Sequence, residues 1–180
     1  TTQDGDVAIT ITGTNPTVAE LNKVASLTTG TVTATISETI SNLSSLSTAS
    51  TDAITTTVTD AASVAQFNTL DAKTSVDIVL TGGVSDTAAA YASSGGTTTS
   101  GLTAIGAQDG DAVITVTDAA TVAQFNTIDG KTSSNVVLSG GISDTAANLA
   151  PSGTASSGLT NATTQDGDVA ITITGTNPTV

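Results

Sequence analysis

Hydrophobic positions along the chain fall into two alternating kinds of segment. Short β-branched runs stand at residues 9–12 (ITIT), 31–36 (TVTATI), 54–58 (ITTTV), 76–80 (VDIVL), 112–116 (AVITV) and 135–139 (NVVLS). With Ile9 and Ile11, Ile54 and Val58, Val76, Ile78 and Leu80, Ile114 and Val116, and Val136 and Leu138 turned inward, a polar set faces outward. That set is Thr10, Thr12, Thr33, Thr35, Thr55, Thr57, Thr115 and Thr117. A period of two predicts strands with one buried and one wet face. Between the runs lie pieces with apolar residues three apart: Val18, Leu21, Val24 and Leu27; Val64, Phe67 and Leu70; Val122, Phe125 and Ile128. Each predicts a helix of two to three turns with one narrow apolar stripe, with Phe67 and Phe125 as the largest core residues. Ser85–Ala89 and Ser143–Ala147 (SDTAA), echoed at residues 37–40, predict short helices capped by Ser and Asp. Asp60 and Asp118 are placed to cap the longer helices.

These elements recur. Residues 57–92 and 115–150 agree at about 26 of roughly 36 positions, and a diverged copy begins near Ile9. Val-Ala-(Glu/Gln)-(Leu/Phe)-Asn anchors all three copies, at Val18–Asn22, Val64–Asn68 and Val122–Asn126. Above this level, Thr1–Val18 returns letter for letter as Thr163–Val180. The chain therefore reads as one period of roughly 162 residues plus an overlap, taken from a longer tandem array. Residues 1–180 form one repetitive segment with modules 7–53, 54–111 and 112–168, and residues 163–180 open the next period.

A unit of about 22–23 residues holding a strand and a short helix is too small to fold alone. The pattern predicts an α/β solenoid, with right-handed strand–short-helix coils of about 23 residues and one continuous parallel β-sheet. Six coils at about 4.8 Å per strand advance the axis by roughly 29 Å per period. The segments 93–108 (SSGGTTTSGLTAIGAQ) and 151–165 (PSGTASSGLTNATTQ) read as loops on one edge, because Gly, Ser, Thr and Pro dominate them.

Composition narrows the function classes. Lys23, Lys73 and Lys131 are the only cations against 16 Asp and Glu, for a formal charge of −13. That balance excludes binding to nucleic acid or to anionic membrane surfaces by charge neutralisation. No apolar run approaches the ~20 residues that span a bilayer. With no Cys or His, the chain lacks a thiol or imidazole nucleophile or base, so no enzyme is expected and no catalytic residue is assigned.

Gln-Asp-Gly-Asp precedes a strand three times, giving Asp4 and Asp6, Asp109 and Asp111, and Asp166 and Asp168. Two carboxylates around a Gly offer oxygens to Ca²⁺, which takes about six to eight of them. The alternative is a plain Asp-Gly turn. The cofactor expectation is accordingly none, or Ca²⁺ stabilising or bundling the arrays. Gly82-Gly83 and Gly140-Gly141 lack the Lys and Ser/Thr of a phosphate loop and read as turns. Outward Thr pairs on a flat sheet resemble the ice-binding faces of some antifreeze solenoids. Thr also favours exposed strand positions in its own right.

The repeats TVTDAATVAQFNTIDGKT and ISDTAANLA (Asp144–Ala150 in particular) resemble those of very long bacterial, especially cyanobacterial, cell-surface proteins of adhesin-like type. Residues 31–46 depart most from that pattern, with Glu38 and Ile40 in place of Asp and Ala. The resemblance implies an extracellular or cell-surface location and a structural or adhesive role. The partners it implies are other copies of the repeat, head to tail or along one chain, and surface glycans. It carries over no catalytic residue.

Overall fold

The structure is a computed structural model and describes residues 5–13 and 15–175. Asp4 and Val180 lie outside the described residues. The chain divides into two compact units, Thr1–Gly83 and Val84–Val180.

In the first unit, β1 (Ile9–Thr10), β2 (Val32–Glu38), β3 (Ala53–Val58) and β4 (Ile78–Val79) form a parallel sheet in sequence order. Crossovers carry α1 (Val18–Ala25), α2 (Ile40–Leu43) and α3 (Val64–Asp71). Ile9 lies beside Val32, Ala34 beside Ile54 and Thr56 beside Ile78, so successive coils are 23, 20 and 22 residues long. Alternation works as the sequence implies: Val32, Ala34 and Ile36 are buried while Thr33 and Thr35 are exposed.

The second unit holds two parallel sheets. One contains β5 (Val84–Asp86), β6 (Ile114–Val116) and β7 (Val136–Leu138); the other contains β8 (Ile142–Thr145) and β9 (Ile171–Thr174). Its helices are α4 (Ala88–Tyr91), α5 (Ser100–Gln108), α6 (Val122–Asp129), α7 (Ala146–Leu149) and α8 (Ser157–Gln165). Coils of 30 residues (Val84 to Ile114) and 29 residues (Ile142 to Ile171) flank one of 22 (Ile114 to Val136).

The longer helices start at capping boxes. Thr17, Ser63 and Thr121 accept from the backbone of Glu20, Gln66 and Gln124, whose side chains return to the N-cap backbone at 2.8, 2.9 and 2.9 Å. One turn later, Leu21, Phe67 and Phe125 enter the core with no exposure.

Four expectations are corrected. Among the described residues the strands form not one continuous ladder but three separate ones. Gly-Gly turns interrupt the strand line: Gly83 donates to Leu80 O at 2.8 Å and Gly141 to Leu138 O at 3.0 Å, each glycine at positive φ (73° and 75°). Past these turns lie β5 and β8, strands concealed in VSD and ISDT. Segments 93–108 and 151–165 are not loops throughout, because their second halves are α5 and α8. Thr99 and Ser156 cap these helices from their hydroxyls, and Leu102, Ile105 and Ala162 are buried. Gly158 has a packing reason, since a Cβ there would stand 2.6 Å from Val122 and Asn126 of α6. At the short helices α2 and α7 the N-cap side chain is Thr, with Thr39 accepting from Asn42 N and Thr145 from Asn148 N, while the Asp of the motif accepts from the N-cap amide: Asp86 from Thr87 N and Asp144 from Thr145 N, both at 2.8 Å. Finally, Phe67 and Phe125 share the rank of largest buried side chain with Tyr91, whose hydroxyl donates to Thr115 O at 3.2 Å. Burial, and then the charge of Asp86, pushes the Tyr91 phenol well above its ordinary range.

Thr56 is a fault in the first core. It points inward between Ile36 and Ile78, has no exposure, and its hydroxyl lacks a hydrogen-bond partner. The matching position of the next module is Ile114. Removing an unpaired buried hydroxyl at constant volume relieves a desolvation penalty. Thr56→Val should raise unfolding stability by about 1 kcal/mol, measured by chemical denaturation; a variant no more stable than the parent would place the hydroxyl in a bond.

Candidate functional site

The polar chemistry of the chain concentrates where one coil meets the next. Asp52 Oδ1 accepts from Val32 N at 2.8 Å, one coil earlier, while its Oδ2 accepts from Ala49 N at 2.7 Å. Asp60 accepts from Ile40 N at 2.7 Å and Asp118 from Ala88 N at 2.6 Å. Asp144 Oδ2 accepts from Val122 N at 3.0 Å, and Asp166 Oδ2 from Leu138 N at 3.0 Å. In each case the carboxylate lies 20 to 30 residues after the amide it holds. Ile40, Ala88 and Val122 are the first residues of α2, α4 and α6. Amides in a helix's first turn have no partner inside that helix, and the partial positive charge there favours a carboxylate. Asp60 and Asp118 therefore cap helices, but those of the preceding coil. The longer helices that follow them in sequence are capped by Ser63 and Thr121.

Hydroxyls return the favour to carbonyls. Thr28 donates to Val7 O at 2.5 Å, Thr74 to Ile54 O at 2.8 Å and Thr132 to Ala112 O at 2.6 Å. Ser75 and Ser134 donate to Asp52 O and Asp111 O at 2.9 and 2.5 Å. Asn22 spans the same gap on the helix side, donating to Ser45 O and accepting from Ser47 N at 2.8 and 2.7 Å. Composition gave no hint of these contacts. The available signal was a Thr-Thr or Thr-Ser pair recurring a few residues past each longer helix, at Thr28, Thr74 and Thr132.

The Gln-Asp-Gly-Asp turns belong to this seam. Gly5 O accepts from Thr29 N and Gly110 O from Ser133 N, both at 2.8 Å. Asp109 closes α5, Asp111 is exposed, and Asp6 and Asp168 are exposed in their own turns. Asp166 and Asp168 line a shallow pocket of about 310 Å³ with Val137, Leu138 and Ser139. Gln165 reaches back as well, its Oε1 accepting from Val136 N at 2.8 Å and its amide donating to Asp129. Among the described residues, no group of three or more His, Cys, Asp or Glu gathers in a way that could hold a metal. Gly5 O, Gly110 O and Asp111 O each accept a hydrogen bond from the next coil.

Thr10, Thr33, Thr35, Thr55, Thr57 and Thr115 lie on β1, β2, β3 and β6, whereas Thr12 and Thr117 lie just past the ends of β1 and β6. Thr10 stands beside Thr33, and Thr35 beside Thr55. Thr12 and Thr117 are exposed, whereas Thr57 and Thr115 are half-buried. The columns stop early: Thr33 continues to Ala53, Thr57 to Val79 and Thr115 to Val137. Elsewhere on the surface, the Thr17 backbone N–H and then its hydroxyl hold the Glu20 carboxyl below its ordinary value. Among the described residues no helix is long and apolar enough to cross a membrane.

Comparison of the chain with family models, with curated proteins and with solved structures finds no match.

If the carboxylates are coil-to-coil caps, their value follows their burial. Asp144 is buried and accepts three bonds, from Val122 N, Thr145 N and Asn148 Nδ2. Asp144→Ala should cost roughly 1–3 kcal/mol, since it orphans the buried Val122 amide. The exposed Asp168→Ala should stay within about 0.5 kcal/mol. Denaturant titration of both variants checks this; equal effects would separate the carboxylates from coil stacking.

Proposed function

We propose that this chain is a structural repeat segment of an extracellular fibre, sheath or adhesin stalk. In this reading the coils form an α/β solenoid, right-handed by the general preference of parallel crossovers. Its work is mechanical, and no reaction is assigned to it. The observation that carries the reading is the coil-to-coil seam. Backbone donors of one coil are completed by side chains of the next, at Val32, Ile40, Ala88, Val122 and Leu138. A coil built this way is unfinished until its successor is in place, and a tandem array supplies successors indefinitely. The extracellular location is supported by the resemblance of the repeats to bacterial surface proteins. The high negative charge keeps neighbouring arrays apart. A ligand-binding role for the Thr face, toward ice or glycans, has weaker support, because Ala53, Val79 and Val137 break its columns.

Covalent extension tests the reading. A chain of two successive periods should melt higher and more steeply than one, because each added coil completes the one before it. Calorimetry showing the same melting temperature for one and two periods would contradict a stacked array.

A further inference from the structure

The turn at Gly140 and Gly141 breaks the ladder in mid-chain and leaves β7 an edge strand, although the chain runs on past it to β9. An unpaired edge is a template for the addition of a foreign strand. The run Val136, Val137 and Leu138 is a good template, because it is apolar and uncharged and Val137 is 40% exposed. Elsewhere the next coil covers such an edge with backbone: β2 meets β3 over six residue pairs, and β6 meets β7 over three. Beside β7 the following coil bends away and pairs with β8 instead, Ile171 beside Ile142.

Side chains stand where that strand is missing. Val136 N donates to Gln165 Oε1 at 2.8 Å and Leu138 N to Asp166 Oδ2 at 3.0 Å. These amides, two residues apart, are the donors that β7 does not spend on β6. Gln165 is the last residue of α8, so the additional helix of the long coil delivers it. Asp129 of α6 steadies it, accepting from the Gln165 amide and from Asn161 Nδ2. The other side of the break is closed by backbone, with Ala120 N donating to Gly141 O at 3.0 Å and Ser143 N to Ala120 O at 2.8 Å.

We infer that Gln165 and Asp166 form an edge seal, which occupies the free donors of β7 and keeps strands of other copies of this chain from adding there. The inference goes beyond the structural role proposed above and holds for a single chain as for an array. It gives the first half of Gln-Asp-Gly-Asp a task. The same four letters begin at Gln108, the last residue of α5, in the other long coil.

Sedimentation velocity over a concentration series tests the seal by comparing the parent with a Gln165→Ala, Asp166→Ala double variant. Both chains have the same ends, so a difference between them reports on β7. The double variant should reach the same associated share at about one tenth of the parent's concentration. Gln165→Ala alone opens only Val136 N and should give a smaller shift in the same direction; it decides the matter should the double variant fail to fold. Asp144→Ala is the control, because it also orphans a backbone amide, that of Val122, but leaves the seal intact. It should associate as the parent does. Variants of Gln165 and Asp166 that associate no more than the parent overturn the seal. So does an Asp144→Ala variant that associates as strongly as the double variant, since lost stability would then suffice. The melting of a two-period chain does not depend on the seal, so the seal and the array reading fail separately.

Discussion

The amide of a residue opening a four-residue helix has no partner within that helix, and such a helix is too short to survive on its own propensity. In this chain the partner arrives from the following coil, where Asp60 holds Ile40 N and Asp118 holds Ala88 N. Most other features follow from this dependence. Coils of 20 to 23 residues leave room for one strand and one brief helix, so each coil has little core of its own. Parallel ladders supply contact on the sheet side, carboxylates and Asn22 tie the helix side, and Thr28, Thr74 and Thr132 secure the corner between. The acidity of the chain is thus partly structural, since Asp52 and Asp144 are buried acceptors.

The Gly-Gly turns give the stack its irregularity. They end β4 and β7 after two and three residues and start β5 and β8 on a separate ladder. The coils that begin at those strands are the long ones, 30 and 29 residues, and they carry the additional helices α5 and α8. Variation in coil length is absorbed on the helix side while the strands keep their parallel register. Gly158 shows how: without a Cβ, α8 approaches Val122 and Asn126 closely.

Much of this was legible in the sequence. Period two at Val32, Ala34 and Ile36 and period three at Val64, Phe67 and Leu70 locate strands and helices because each has one buried face. Self-comparison reveals the modules without any structural knowledge. What stayed hidden depends on register. Nothing near Asp60 in sequence indicates Ile40, since the link exists only once the coil length is fixed at that point, and coil length varies. The helices α5 and α8 were masked by Gly, Ser and Thr, which argue locally for a loop while Leu102, Ile105 and Ala162 find a core from elsewhere. The strands β5 and β8 were masked by the glycines before them. The Gln-Asp-Gly-Asp segments at 108–111 and 165–168 stand before β6 and β9 as the sequence implies, but the role of Asp166 as a cap on Leu138 is again a matter of register.

Amide hydrogen exchange at Ile40 and Ala88 tests the central claim most directly. If the following coil holds these amides, Ile40 should exchange as slowly as the ladder amides of β2 and β3, and Ala88 as slowly as those of β5 and β6, through loss of its own unit rather than by fraying. Exchange at the rate of an exposed helix start, with the ladder still protected, would contradict the account.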